Sequence, residues 1–190
     1  MIGNDIVDLR LAALESNIYR PRLQGKIFSE EEQEVIRRAK NQENQFWLFW
    51  AMKEAAYKAH QRRFGLRRKF NPKIFECVFT SLEKSTLQYS VFVEGYEYFI
   101  RSQISAEFIH CFALSPAVKE NKIQFFNKKV NLRKRLISAV AKHFNLPVEE
   151  VKIYKDNYSI PQLIQGIQSI NIPFSLSHHG RFSAIVFAVN

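Results

Sequence analysis

Acidic residues are in short supply: 18 Asp and Glu stand against 28 Lys and Arg in 190 residues, a formal charge of +10. That deficit predicts attraction to something anionic, whether nucleic acid, a lipid surface, a phosphorylated ligand or an acidic protein. Cysteine is scarcer still. Cys77 and Cys111 each lie in an apolar strand-like run, "FECVF" and "IHCFAL", which predicts buried thiols and a reducing, cytoplasmic setting. Neither they nor the adjacent His178 and His179 make the ligand-pair spacing of a zinc site. No uninterrupted apolar run approaches the ~18 residues of a membrane span. Charged residues begin at position 5 without a preceding apolar segment, so a soluble, unprocessed chain is expected. A G-x-S-x-G elbow is missing, which argues against a hydrolase serine at "SHHG". Zinc-finger spacing, an RNP-like run and a clear helix-turn-helix are missing too, so no nucleic-acid partner is expected.

What is present is a core. Apolar residues make up 46% of the chain and Phe alone contributes 17, enough to exclude intrinsic disorder. The length suits one substantial domain or two small lobes. Residues 116–190 carry 11 basic and 4 acidic side chains against 17 and 14 in residues 1–115, so the basic surface belongs mainly to the C-terminal part.

The opening "MIGNDIVDLRLAAL" predicts a short strand followed by a turn or helix, with Asp5 and Asp8 near the strand end. "FSEEEQEVIRRAK" carries a capping box, Ser29 and Glu32, and a basic end, which predicts a helix. "QENQFWLFWAMKEAAYKAHQRRF" predicts a longer helix in which Trp50, Glu54 and Lys58 recur at i, i+4 and i+8 on roughly one face. After Gly65 and Pro72, four β-branched and aromatic runs through "FIHCFALS" predict an antiparallel sheet. A first lobe then spans 1–115, and 116–127, including the polar "AVKENK", is a candidate connection. A second lobe, 128–190, holds a basic amphipathic helix "NKKVNLRKRLISAVAKHFN", a turn and strand in "LPVEEVKIYKD", a Pro- and Gly-containing stretch to Pro173, and two short strands around "SHHGR".

Three constellations could carry chemistry. Asp5 and Glu54 fit a pair of hard-oxygen ligands for Mg²⁺ completed by phosphate oxygens, or else ordinary surface ion pairing. Lys58 fits a phosphate contact or a simple i, i+4 partner for Glu54. The basic run Lys128, Lys129, Arg133, Lys134, Arg135 is compatible with a phosphate clamp, a nucleic-acid patch or a solvated face. Ser175, Ser177, His178 and Gly180 offer hydroxyls, an imidazole and an unhindered backbone suited to phosphate. Within "WAMKEAAYK", Lys53 lies beside the aromatic cluster "FWLFW", where a charge without a partner is costly.

Together "GNDIVDL" (3–9), "IFSEEE" (27–32), "WAMKEAAYK" (50–58) and "FSLSHHGRFSA" (174–184) resemble the 4'-phosphopantetheinyl transferase family. Its motifs are a G-x-D near a strand end, a W-x-x-K-E-[AS]-x-x-K helix and an S-x-S-H loop. The resemblance covers nearly the whole chain. It implies transfer of the phosphopantetheine arm of coenzyme A to a serine of an acidic apo acyl or peptidyl carrier protein, with Mg²⁺, releasing adenosine 3',5'-bisphosphate. It further implies Asp5 and Glu54 as metal ligands, Glu54 as the base for the serine proton, and Lys58 on the phosphates. Ser177 and His178 would contact the nucleotide and its 3'-phosphate. On this view the charged helix positions, Lys53 included, face a metal and a diphosphate.

The motif order is that of the short, trimeric holo-acyl-carrier-protein synthase type. The intervening segments resemble the long surfactin-synthetase type read from its middle. The expectation is an α+β fold of two similar lobes, each with helices on a small antiparallel sheet: a circularly permuted pseudo-dimer, active as a monomer. A homotrimer of the short type and a noncatalytic basic module binding RNA or another polyanion are the rivals. Val7 stands where the long type has a third carboxylate, leaving that position to water or Asp8. Ser159-Ile160-Pro161 stands where that type often has Gly-Lys-Pro, so the phosphate contact is lost or supplied by the basic helix, with Lys128 and Lys129. The resemblance assigns no role to His179, which is expected to face solvent.

Overall fold

The computed structural model describes residues 1–83 and 86–189. In the N-terminal lobe β1 (Ile2–Asp8), β2 (Glu76–Glu83), β3 (Thr86–Val93), β4 (Tyr96–Ile104) and β5 (Phe108–Leu114) form one antiparallel sheet in the order β1-β5-β4-β3-β2. Three helices, α1 (Leu9–Glu15), α2 (Leu23–Ile27) and α3 (Glu30–Arg38), precede the long α4 (Gln42–Phe64), which lies across β1 and β5. Local chemistry explains the helix ends. Asp8 caps α1, and Ser29 and Glu32 exchange both capping-box bonds at α3. Asn41 starts α4, and Gly65 closes it in the left-handed region at φ 60°.

β1 and α4 approach each other closely at Gly3. A methyl group on Gly3 would sit 1.9 Å from the Ala55 carbonyl oxygen and 2.6 Å from the Ala59 nitrogen. Glycine on the strand against alanines on the helix is therefore a packing requirement. It draws the odd-numbered face of β1, with Asp5, onto the helix face that carries Lys58.

The C-terminal lobe differs from the expectation in three places. Residues 121–126, read as part of the connection, form strand β6 (Asn121–Phe126). Helix α5 (Leu132–Phe144) begins five residues later than "NKK" suggests, because the Asn131 side chain accepts the Lys134 N–H and caps it there. The stretch before Pro173 contains β8 (Pro161–Gln165) and β9 (Gln168–Ile170), joined through Gly166 and paired with β7 (Val151–Lys155). The strands thus divide into two three-stranded sheets, β7-β8-β9 and β10-β11-β6, where β10 is Phe174–His179 and β11 is Phe182–Ala188. Helices on antiparallel sheets make this an α+β fold.

Apolar side chains carry part of the contact between the lobes. Ile2, Phe112 and Leu114 pack on Val186 and Ala188, while Ile6 and Phe108 pack on Phe182 and Ala184. Phe125 of β6 stacks on Phe108 with ring centroids 4.6 Å apart. Each fully buried large apolar side chain stabilises by roughly 1.5–3 kcal/mol, so the lobes share a core. Among the described residues no helix is long and apolar enough to cross a membrane.

Gly3→Ala is expected to lower stability by about 3 kcal/mol and Tm by roughly 6–12 °C in thermal denaturation followed by circular dichroism. An unchanged Tm would contradict the close β1–α4 contact.

Candidate active site

β1 is the outer strand of its sheet, so alternate N–H groups on its free edge need partners. They find them in side chains of β10. The Asn4 N–H donates to Ser175 Oγ (2.9 Å), the Ile6 N–H to Ser177 Oγ (3.2 Å) and the Asp8 N–H to His179 Nδ1 (2.9 Å). Every second residue of β10 thus meets every second residue of β1, in step, which is why Ser-x-Ser-x-His serves where a single serine would not.

The seam delivers Ser177 to the expected acidic residue. Its hydroxyl, while accepting from Ile6, donates to Asp5 Oδ1 at 3.0 Å. Lys58 Nζ reaches the same oxygen at 2.7 Å, donates to the Asn4 carbonyl at 3.0 Å, and stands 3.9 Å from Glu54 Oε2. Asp5, Glu54, Lys58 and Ser177 therefore converge from β1, α4 and β10. Burial pushes the Glu54 carboxyl above its ordinary pKa; Lys58 opposes this, Asp5 adds to it and Arg68 opposes it. Two partly buried carboxylates sharing a single ammonium ion make a site that attracts further positive charge. Beneath it lies His110, a residue the sequence did not single out. Its Nε2 is 3.4 Å from Asn4 Nδ2, and burial lowers its pKa to about 4 despite nearby Asp5, so it is neutral at pH 7.

Lys53 belongs elsewhere. Expected to face a ligand with its helix neighbours, it is fully buried on the core side, 2.7 Å from Glu32 Oε2, and also donates to the carbonyls of Pro72 and Phe75. Glu32 in turn accepts the N–H groups of Ser29 and Cys77. The protein itself compensates this charge: removing one member of such a buried pair costs about 3–5 kcal/mol.

Asp8 and His179 also differ from expectation. As an even-numbered β1 residue, Asp8 projects from the face opposite Asp5. It accepts the N–H groups of Arg10, Leu11 and Arg181 and pairs with the Arg181 guanidinium, which holds its carboxyl well below the usual range. It is a tie between lobes, not a third site carboxylate. Gly180 is part of that tie: a methyl group there would lie 2.4 Å from Asp8 Oδ2. His179 faces the seam rather than solvent, and its Nε2 lies 3.2 Å from Glu15 Oε2.

The remaining expected residues lie beside an open cleft of about 540 Å³ between the lobes. Lys129, Arg133, Lys155 and His178 line it from the C-terminal lobe and Arg68 from the other. Lys128 is exposed on the same loop but outside this lining. Arg68 links cleft and carboxylates, since its charge acts on Glu54. Arg68 and Lys155 went unassigned in sequence; for Arg68 the basic cluster "RRFGLRRK" at the end of the Lys-Glu helix was the available signal.

The sequence profile of the 4'-phosphopantetheinyl transferase superfamily matches residues 1–114, more than half of the chain. Similar solved structures include holo-[acyl-carrier-protein] synthase from Neisseria meningitidis, 16% identical, covering 60% of this chain and 95% of that one with a TM-score of 0.46. An apo-ACPS structure from Chronobacterium ammoiniagenes is 17% identical over 60% of this chain and 93% of that one, with a TM-score of 0.46. Holo-[acyl-carrier-protein] synthase from Thermotoga maritima is 12% identical over 88% and 83%, with a TM-score of 0.41. Among curated proteins no sequence matches.

Because a carboxyl with a raised folded-state pKa opposes folding once ionised, Glu54→Gln is expected to raise Tm at pH 7 in chelator-treated protein. Differential scanning calorimetry checks this; a lower Tm would mean that the Lys58 pairing outweighs burial.

Proposed function

Because the chain belongs to the 4'-phosphopantetheinyl transferase superfamily, we propose that it transfers the phosphopantetheine arm of coenzyme A to a serine of an acidic acyl or peptidyl carrier protein. The observation that carries this reading is the convergence of Asp5, Glu54, Lys58 and Ser177 from both lobes beside a basic cleft. In it, the phosphates of coenzyme A lie in the cleft among Arg68, Lys129, Arg133 and Lys155, with His178 on the nucleotide 3'-phosphate.

The site fits Mg²⁺. Two hard-oxygen carboxylates, Asp5 and Glu54, come from different elements to share Lys58 there, and Mg²⁺ is an ion that keeps few protein ligands and takes the rest from water and phosphate. Asp5 and Glu54 would hold it, and when bound it neutralises charge on the diphosphate. Lys58, on the same helix face as Glu54, adds positive charge where the bridging oxygen departs. Glu54, whose burial makes it more basic than a surface carboxylate, takes the carrier serine's proton directly or through water as the hydroxyl attacks the β-phosphoryl group. The serine O–P bond forms, the diphosphate P–O bond breaks, and adenosine 3',5'-bisphosphate leaves. Ser177, with its hydroxyl already committed to Asp5 and Ile6, orients the metal-binding carboxylate instead of contacting the nucleotide. Since one chain supplies both sides of the site, we read the protein as a pseudo-dimer active as a monomer.

Intact-mass spectrometry of an apo carrier protein incubated with coenzyme A and Mg²⁺ is expected to show the gain of one phosphopantetheine arm. Chelation and Glu54→Ala should both abolish it. Absence of transfer across acyl and peptidyl carriers would overturn the reading.

Arg133→Ala and Lys155→Ala are each expected to weaken coenzyme A binding about tenfold by isothermal titration calorimetry, with the loss shrinking as salt rises. Unchanged affinity would move the phosphates out of this cleft.

A further inference from the structure

Two of the three seam contacts use hydroxyls, which rotate to donate or accept as required. The third uses an imidazole, whose two nitrogens take different parts. His179 Nδ1 accepts the Asp8 N–H at 2.9 Å, so the single proton of the neutral ring belongs on Nε2, which faces Glu15 Oε2 at 3.2 Å. The ring therefore reaches from the last residue of β1 to the last residue of α1. The other charged groups at this junction are committed elsewhere: the Asp8 carboxylate to Arg181 and the α1 cap, and Arg181 also to Glu107. Both nitrogens of His179 are engaged, and its side chain projects from the strand face opposite His178, which lines the cleft.

We propose that His179, in its Nε2–H tautomer, is a positioning residue that latches the end of β1 and so aims Asp5. The path is short. Asp5 lies three residues before Asp8 on a seven-residue strand, and its carboxylate is held by Ser177, two residues before His179 on the facing strand. With the Asp8 contact made, the edge of β1 that faces β10 is held in three steps, at Asn4 by Ser175, at Ile6 by Ser177 and at Asp8 by His179. Without it, the edge of β1 that faces β10 is held only at Asn4 and Ile6, while β5 and the Asp8–Arg181 pair still hold the strand end, and the β1–β10 register that sets Ser177 against the Asp5 carboxylate loses its last step.

The test compares the wild-type chain with His179→Leu, which loses both contacts, and His179→Asn, whose amide oxygen can take the place of Nδ1. Long-range ¹H–¹⁵N NMR of the wild-type ring should report the Nε2–H tautomer. Hydrogen exchange at the Asp8 amide should be slow in wild type, at least about tenfold faster in His179→Leu, and largely restored in His179→Asn. These readouts stand apart from the transferase assignment; the kinetic arm rests on it. There, His179→Leu should lower kcat about tenfold, the scale for groups that orient a metal ligand, with KM for coenzyme A within twofold, and His179→Asn should recover most of the rate. An Nδ1–H tautomer, unchanged Asp8 exchange, or a folded His179→Leu variant with unaltered kcat would each overturn the proposal. If His179→Leu does not fold, the wild-type tautomer and His179→Asn decide. If the wild-type chain transfers nothing, the function fails, while tautomer and exchange still judge the latch.

Discussion

A β-strand with one paired edge and one buried open edge must find acceptors for its outward N–H groups, and β1 is such a strand. The solution is a neighbouring strand that offers side chains instead of backbone carbonyls. Since side chains alternate along β10 and free N–H groups alternate along β1, the two strands keep register with the period of a ladder while remaining in different sheets. The site follows from that alignment. Asp5 occurs where the middle step of the seam brings a hydroxyl to its carboxylate, and the odd-numbered face of β1 that carries it lies on α4, close enough for Lys58 to reach the same oxygen because residue 3 is glycine.

Helix α4 shows how one element serves two solvents. Lys53 and Glu54 are adjacent, about 100° apart around the helix. Lys53 turns into the lobe interior and is neutralised by Glu32 and backbone carbonyls. Glu54 turns to the seam, where no comparable compensation exists: its ammonium partner is 3.9 Å away and also serves Asp5. The difference separates a charge satisfied within the fold from one whose compensation is incomplete. A satisfied buried pair rigidifies the fold, whereas an undercompensated carboxylate stores binding energy for whatever cation or proton arrives.

What the sequence made legible follows the range of the forces involved. The capping box at Ser29, the long helix, the hairpin strands and the closing β10–β11 pair are set by neighbours within a few residues, and they stand where the pattern places them. Asp5, Glu54 and Lys58 were legible as a group only through the family resemblance, since two carboxylates far apart in the chain and an i, i+4 Glu–Lys pair are ambiguous on their own, and the fold brings the three together. The partners of Lys53 and Asp8 and the seam contacts of Ser177 and His179 were not. Each depends on a partner distant in the chain, up to 173 residues away for Asp8 and Arg181, and no local pattern encodes it. β8 and β9 were missed for the opposite reason: short, polar strands interrupted by Pro and Gly give little periodic signal.

The separation in sequence between β1 and β10 also matters while the chain is being made. The first lobe can assemble once its closing strand, ending at Leu114, has emerged, but β10 ends only at His179. At ~5–20 residues per second, translation leaves an interval of roughly 3–13 s. During it the outer edge of β1 and the apolar surface of Ile2, Ile6, Phe108 and Phe112 are complete but uncovered. An open strand edge beside such a surface is a template for pairing with other chains. Strands synthesised later thus act as a shield for one made earlier, and a chain cut short before Phe174 is left prone to aggregate.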